Sequence, residues 1–256
     1  ALSKDLSKII FEGPIDVLSR TDNTQPALMC ISIAILKVLE EKTGKKINEL
    51  CSYVAGHSLG EYTALCAAGS ITLSDTAKLL KVRGEAFFEA GEKQGGSMLA
   101  LLGVTLEQVE ELISKSKGNN ILQIANDNTV GQIVLSGENE AIDRAITIAQ
   151  EMGIKKVVKL ATSGAFHSKL MEPAKVKMEE ALNNTEVKTP LVPVFANVTA
   201  ETVSDPKQIK ENLLTQISSV VRWRETMLNM EKEGIEEIVE IGSGKVLGNM
   251  VPRTLP

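Results

Sequence analysis

Residues 50–69 read LCSYVAGHSLGEYTALCAAG, and their interpretation decides the fold. A short apolar run ends at Gly56, a serine follows between two glycines, and an apolar-rich segment continues to Gly69. The first part suits a buried strand and the last a helix stopped by glycine, so Ser58 falls on a strand-to-helix turn. GHSLG, Gly56 to Gly60, fits the G-x-S-x-G nucleophile elbow, in which a tight turn holds a serine hydroxyl out at the end of a strand. Glycine is expected on both sides because the neighbouring backbone packs too closely for a Cβ. The plainer alternative is an N-cap serine in a tight turn.

A serine hydroxyl is a weak nucleophile until a base takes its proton. The chain has two histidines, His57 and His167. Adjacent side chains on a sharp turn diverge, which disfavours His57. His167, in the loop-like TSGAFHSKLM, is the better candidate, with a surface or helix-capping role as its alternative. Spacing alone does not choose a third group to orient the imidazole; a carboxylate or a carbonyl would serve.

Working outward, residues 24–43 read as a helix with Thr24 as cap and Pro26 in its first turn. A second helix is expected from Ser74, as cap, to Gly91. From Gly95 the pattern changes. SMLALLGV (97–104) reads as a strand, 105–118 as an amphipathic helix, 121–128 and 131–137 as strands, 138–153 as a helix and 155–161 as a strand. That order, βαββαβ, is the ferredoxin-like unit. Helices near 173–183, 206–217 and 223–233 then alternate with strands expected in VPVFANV (192–198) and IEEIVEIG (235–242). The expected fold is α/β: a hydrolase-like core with a mostly parallel sheet over 1–93 and 162–256, and a ferredoxin-like domain inserted at 94–161.

With 256 residues, 43% of them apolar, a sizeable aliphatic core is available; aromatics are only 3%. A net charge of −5 argues against nucleic acid as partner. The run ALMCISIAILKVL (27–39) is interrupted by Lys37 and is too short for a membrane span. Cys30, Cys51 and Cys66 have no CxxC spacing, which suits a reducing compartment, and no metal site is expected. GSGKVLG misses the Walker spacing, since Val239 and Val246 stand where Gly and Ser or Thr are required. Arg83, on a helix beside Glu85, reads by itself as a solvated residue; in an acyl-transfer site it would pair with a substrate carboxylate.

NTQPALM, AGHSLGEYTAL, VRGEAF, GAFHSKLM, NVTA, the RW of SSVVRWRETM and EIGSGKVLGNM, in this order and essentially end to end, resemble the malonyl-CoA:acyl carrier protein transacylase family of dissociated fatty acid synthesis. The resemblance implies the α/β core with ferredoxin-like insert and a ping-pong malonyl transfer from malonyl-CoA to the phosphopantetheine thiol of acyl carrier protein. No cofactor, nucleic acid or membrane takes part, and a cytoplasmic monomer, or one in the matching organelle compartment, is expected. It implies Ser58 as nucleophile, His167 as base, the Gln216 backbone carbonyl as the group orienting His167, the Leu59 N–H as oxyanion donor, and Arg83 as the partner of the malonate carboxylate. His57, Met98, Asn128 and Phe166 match positions lining the cleft. Phe166 before the histidine resembles the malonyl-selective form; for Met98 a core role is the alternative.

The family's second oxyanion donor is a glutamine in a GQGSQ segment, which this sequence lacks, so a strand and this donor are expected upstream of Ala1. For an acidic carrier, Lys155, Lys156, Lys159, Lys169, Arg222 and Arg224 are candidate contacts. Rival readings are an acyltransferase domain of a polyketide synthase, a serine thioesterase or hydrolase, and a silent scaffold.

Overall fold

The computed structural model describes residues 2 and 4–255. The chain opens with helices α1 (Leu6–Glu12), α2 (Ile15–Ser19), α3 (Thr21–Thr43) and α4 (Ile47–Leu50). α3 starts at Thr21, ahead of the expected cap at Thr24, whose hydroxyl instead donates back to the Leu18 carbonyl. Pro26 therefore lies inside the helix and offers no N–H to the Asp22 carbonyl four residues earlier. Lys4 Nζ takes that oxygen at 3.0 Å, and the helix continues through the proline.

Strand β1 (Val54–Ala55) leads into α5 (Leu59–Ala67), followed by the long α6 (Leu73–Gln94). Thr72, not Ser74, caps α6: its hydroxyl accepts the Asp75 N–H at 3.1 Å. Leu79, Leu80, Arg83, Ala86, Phe87 and Ala90 form the buried stripe of α6. Its apolar members share one core with Met29, Ile33, Tyr62, Leu65, Met178 and Leu213.

The middle of the chain forms β2 (Ser97–Val104), α7 (Leu106–Ser116), β3 (Leu122–Thr129), β4 (Gly131–Gly137), α8 (Asn139–Glu151) and β5 (Lys156–Leu160). Its antiparallel sheet has the order β3-β4-β2-β5. Two-residue alternation separates its faces. Leu99, Leu101, Ile133 and Leu135 join Val109 and Leu112 of α7 and Ile142 and Ala145 of α8 in one core. Met98, Ala125 and Val134 point the other way and pack against Phe166.

Helix α9 (Glu172–Asn183), strands β6 (Val194–Phe195) and β7 (Thr202–Val203), and helices α10 (Pro206–Gln216), α11 (Trp223–Lys232) and α12 (Val251–Thr254) complete the chain. β1 runs parallel to β6, and β7 pairs antiparallel on the far side of β6. The strand expected over 235–242 does not form. Among the described residues β1 is the edge of its sheet, no strand lies beside 235–242 to complete a ladder, and Val239 is 68% exposed. The small sheet is stitched to the larger unit at Val221, which exchanges backbone bonds with Ala125 and Asp127 of β3 at 2.9 and 3.0 Å.

Candidate active site

Ser58 sits at φ 54°, ψ −110°, a region that L-residues avoid, between β1 and α5. The turn is held by its neighbours. The Ser58 N–H donates to Asn197 Oδ1 at 2.7 Å, and Asn197 Nδ2 donates to the Gly56 carbonyl at 2.7 Å. A Cβ on Gly56 would lie 1.9 Å from the Gly60 carbonyl oxygen, so that glycine is obligatory. The expectation for Gly60 is corrected: a Cβ there meets nothing within 4 Å.

His167 lies in the loop between β5 and α9 and also has a left-handed backbone, φ 57°. This loop rests directly on α6, where a Cβ on Gly91 would be 1.9 Å from the Ser163 carbonyl oxygen. His167 Nδ1 is 2.8 Å from the Gln216 backbone carbonyl. A carbonyl only accepts, so Nδ1 carries the proton and Nε2 is left with its lone pair. Nε2 faces Ser58 Oγ at 2.8 Å, so the hydroxyl donates to it. Burial first, then the nearby Arg83 charge, lowers the imidazolium to about 3, against the Gln216 carbonyl, which favours the charged form. The imidazole is therefore neutral throughout the physiological range, with its Nε2 lone pair free to receive a proton.

Arg83 projects from the apolar stripe of α6 and is 1% exposed. Nη1 donates to Gln25 Oε1 at 2.7 Å, and Nη2 donates to Ser58 Oγ at 2.9 Å and Gln216 Oε1 at 3.0 Å. Its guanidinium lies 4.3 Å from the centre of the Phe87 ring, and Nε has no partner among the described residues. No carboxylate pairs with it directly among the described residues. Burial lowers its pKa. A buried cation with only neutral acceptors is desolvated without a counter-ion, an arrangement that an incoming anion relieves.

Ser58, His167 and Arg83 converge on a cleft of about 430 Å³, also lined by Gln25, Leu59, Phe87 and Phe166. Leu59, which lines the cleft, begins α5, so its N–H belongs to the unpaired first turn. Three expected cleft residues are located elsewhere. Met98 is 4% exposed on the small sheet and packs behind Phe166. His57 Nε2 donates to Asn128 Oδ1 at 2.8 Å, and the His57 ring stands edge-on to Trp223 at 5.6 Å. This pair ties the elbow to β3 and does not line the cleft.

Half of the expected basic surface is also neutralised. Arg224 grips Asp127 through Nε at 3.0 Å and Nη2 at 2.8 Å, Lys159 pairs with Asp143 at 2.7 Å, and Arg222 pairs with Glu225. Lys155, Lys156 and Lys169 are exposed without an ion-pair partner among the described residues. No group of three or more metal-ligating side chains occurs among the described residues, and no described helix is long and apolar enough to cross a membrane.

Sequence reasoning missed Gln25, Asn197 and Glu61. The first two lie inside NTQPALM and NVTA, and Glu61 follows the elbow in Ser-x-x-Glu spacing, which reads as a capping box. Glu61 is 2% exposed, and its Oε2 accepts the Asn197 N–H at 3.1 Å and Gln216 Nε2 at 2.6 Å. Burial raises its carboxyl to about 7, against those two donors and Arg83.

Residues 4–256 match the family described as acyl transferase domain. The chain is 40% identical over 253 residues to the malonyl CoA-acyl carrier protein transacylase of Bacillus subtilis, covering 98% of this chain and 78% of that protein. The crystal structure of the acyl-carrier-protein-S-malonyltransferase from Bartonella henselae superposes with a TM-score of 0.94 at 46% identity, over 99% of this chain and 80% of that one. A malonyl-transacylase solved in complex with a type II polyketide synthase acyl carrier protein gives a TM-score of 0.94 at 35% identity, over 99% and 81% of the two chains.

Proposed function

The chain belongs to the acyl transferase domain family and, within it, to the malonyl CoA-acyl carrier protein transacylases, and we propose that Ser58, His167 and Arg83 carry the reaction here. The activity is transfer of a malonyl group from malonyl-CoA to acyl carrier protein. The observation that carries the residue assignment is the meeting of a serine hydroxyl, a neutral imidazole nitrogen at 2.8 Å and a counter-ion-free guanidinium at 2.9 Å in one cleft.

In the first half-reaction Ser58 Oγ attacks the thioester carbonyl carbon while its proton passes to His167 Nε2. Leu59 N–H receives the developing oxyanion. The C–S bond breaks, the departing CoA sulfur takes the proton from His167, and malonyl-Ser58 remains. In the second, the phosphopantetheine thiol gives its proton to His167, its sulfur attacks the ester carbonyl, and Ser58 recovers its proton as the C–O bond breaks. Atoms and charge balance without a cofactor.

Arg83 selects the acyl group. The malonyl carboxylate replaces neutral acceptors around the guanidinium, whereas an acetyl group leaves the buried charge uncompensated. Pairing also removes the charge that opposes the imidazolium, so a diacid makes His167 a stronger base at the moment it is needed. The Gln216 carbonyl, a neutral third member, holds the tautomer and favours the imidazolium only weakly, so that burial and the Arg83 charge keep the resting imidazole neutral.

We take residues 94–161 as an inserted domain within a core of 1–93 and 162–256. The separate hydrophobic core of the small sheet supports this division. A cytoplasmic monomer is taken as the working unit, and a cytoplasmic location fits the three free cysteines.

Intact-protein mass after brief exposure to malonyl-CoA tests the assignment. The expected result is a malonyl-sized increment on the parent, none on Ser58→Ala, and a loading rate lowered by about 10⁴-fold or more in His167→Ala. An increment that persists in Ser58→Ala would overturn it.

A further inference from the structure

Ser58 and Glu61 have the spacing of a capping box, in which the serine hydroxyl accepts the glutamate N–H and the carboxylate takes the serine N–H. Neither bond forms. The hydroxyl is turned to His167 and Arg83, and the Ser58 N–H is taken by Asn197. The carboxylate is redirected into the core, where it accepts the Gln216 side-chain amide and the Asn197 backbone N–H.

Those two partners are the residues that hold the elbow. Asn197 binds the Ser58 N–H, and Gln216 Nε2 donates to the Ser58 carbonyl at 3.0 Å. The same Gln216 amide accepts Arg83 Nη2 through Oε1. Glu61 and Arg83 thus face each other through one amide, which can satisfy a cation with its oxygen and an anion with its nitrogen in a single orientation. Donating to a buried carboxylate polarises the amide and strengthens its oxygen as an acceptor for the guanidinium.

We infer that Glu61 is a positioning residue for acyl transfer: through the Gln216 amide and the Asn197 backbone it fixes the Ser58 turn and the Arg83 guanidinium together, so that one buried carboxylate aligns the nucleophile and the group that selects the acyl chain. This rests on the roles given above to Ser58 and Arg83. The raised pKa of Glu61 reflects the desolvation of a carboxyl kept in the core for the two bonds that its Oε2 accepts, a role that oxygen fills with the group protonated or ionised.

The test compares single-turnover loading from malonyl-CoA and from acetyl-CoA, read by intact mass, in the full chain and its variants. Glu61→Met keeps the volume and removes both acceptor bonds; Glu61→Gln retains an oxygen that can accept them. Glu61→Met is expected to slow malonyl loading about 10²-fold, the scale of an ångström-sized misplacement, and to narrow the malonyl-over-acetyl ratio about tenfold. Glu61→Gln is expected to recover to within about fivefold of the parent. Gln216→Leu, which keeps its backbone carbonyl and reads the relay from the other end, is expected to narrow the ratio likewise, with Glu61→Met narrowing it no further in that background.

Parental rates and selectivity in Glu61→Met would overturn the inference, as would multiplicative effects of the two substitutions on the malonyl-over-acetyl ratio or a Glu61→Gln enzyme as slow as Glu61→Met. If Glu61→Met does not fold, Gln216→Leu with parental selectivity overturns it alone. A parent that gives no Ser58 adduct would overturn the reading of Ser58 instead, which keeps the two failures apart.

Discussion

The small antiparallel sheet and the elbow region are built by different physics within one chain. In the small sheet, Leu99, Leu101, Ile133 and Leu135 alternate with residues of the opposite face, and α7 and α8 cover one side with aliphatic stripes. Around the elbow the strands shrink to two residues, and Ser58 and His167 both have positive φ. Order there comes from buried polar side chains: Asn197, Gln216, Glu61 and Arg83 are each no more than 2% exposed. Apolar packing tolerates small errors with a graded loss of stability, whereas a hydrogen-bonded constellation loses function when one member moves. The difference predicts how each region fails.

The largest effect is expected at the elbow. Gly56→Ala drives a methyl group into the Gly60 carbonyl and is expected to reduce malonyl loading about 10³-fold, whereas Gly60→Ala, whose methyl meets open space, should leave thermal stability unchanged or raised. Loading assays and melting curves on the two variants check this. Equal damage from both would show that the asymmetry of the turn is wrong.

In the small sheet the failure should take the other form. Leu135→Ala, at a fully buried position remote from the cleft, is expected to cost about 3 kcal/mol in denaturant unfolding while the folded enzyme loads malonate within about twofold of the parental rate. A collapse of loading by folded Leu135→Ala would erase the contrast between the regions.

Legibility follows the same division. β2 and β4 occupy the residues that read as strands, 97–104 and 131–137, because a short apolar run bounded by glycines is a pattern among neighbouring residues. The strand expected over 235–242 has the same apolar grammar but no partner beside it, and pairing is not encoded in a segment alone. Within the cleft, Ser58 stands out by its glycines and His167 by scarcity. Arg83 shares a helical stripe with Leu79, Leu80, Phe87 and Ala90, a spacing that announces burial, yet by residue type it reads as solvated. Asn197 and Gln216 reach Glu61 across 136 and 155 residues, and no local pattern records such contacts. Resemblance to a family located the Gln216 carbonyl; it offered nothing on Glu61.

A smaller effect concerns the electrostatics of the elbow. Glu61 holds its proton up to about 7 in the folded protein, against 4.5 ordinarily. Between those values the folded state is protonated and the unfolded state is not, so raising the pH through this window destabilises the fold, by up to about 3 kcal/mol in all. Glu61→Gln lacks this group while retaining the His167 titration. The stability of the variant relative to the parent should therefore improve from below pH 4.5 to above pH 7, as measured by denaturant unfolding at each pH. A difference constant with pH would mean that Glu61 is not held as a buried carboxyl.

The central claim is that a buried guanidinium without a counter-ion makes this cleft select a diacid. Its most direct test is the ratio of single-turnover acyl-enzyme formation from malonyl-CoA and from acetyl-CoA, measured in the parent and in Arg83→Ala. The account predicts that the parent strongly favours malonyl and that Arg83→Ala lowers the ratio by about 10²–10³-fold, chiefly through slower malonyl loading. An unchanged ratio, with both acyl groups slowed alike, would contradict it and reduce Arg83 to a scaffold for the elbow.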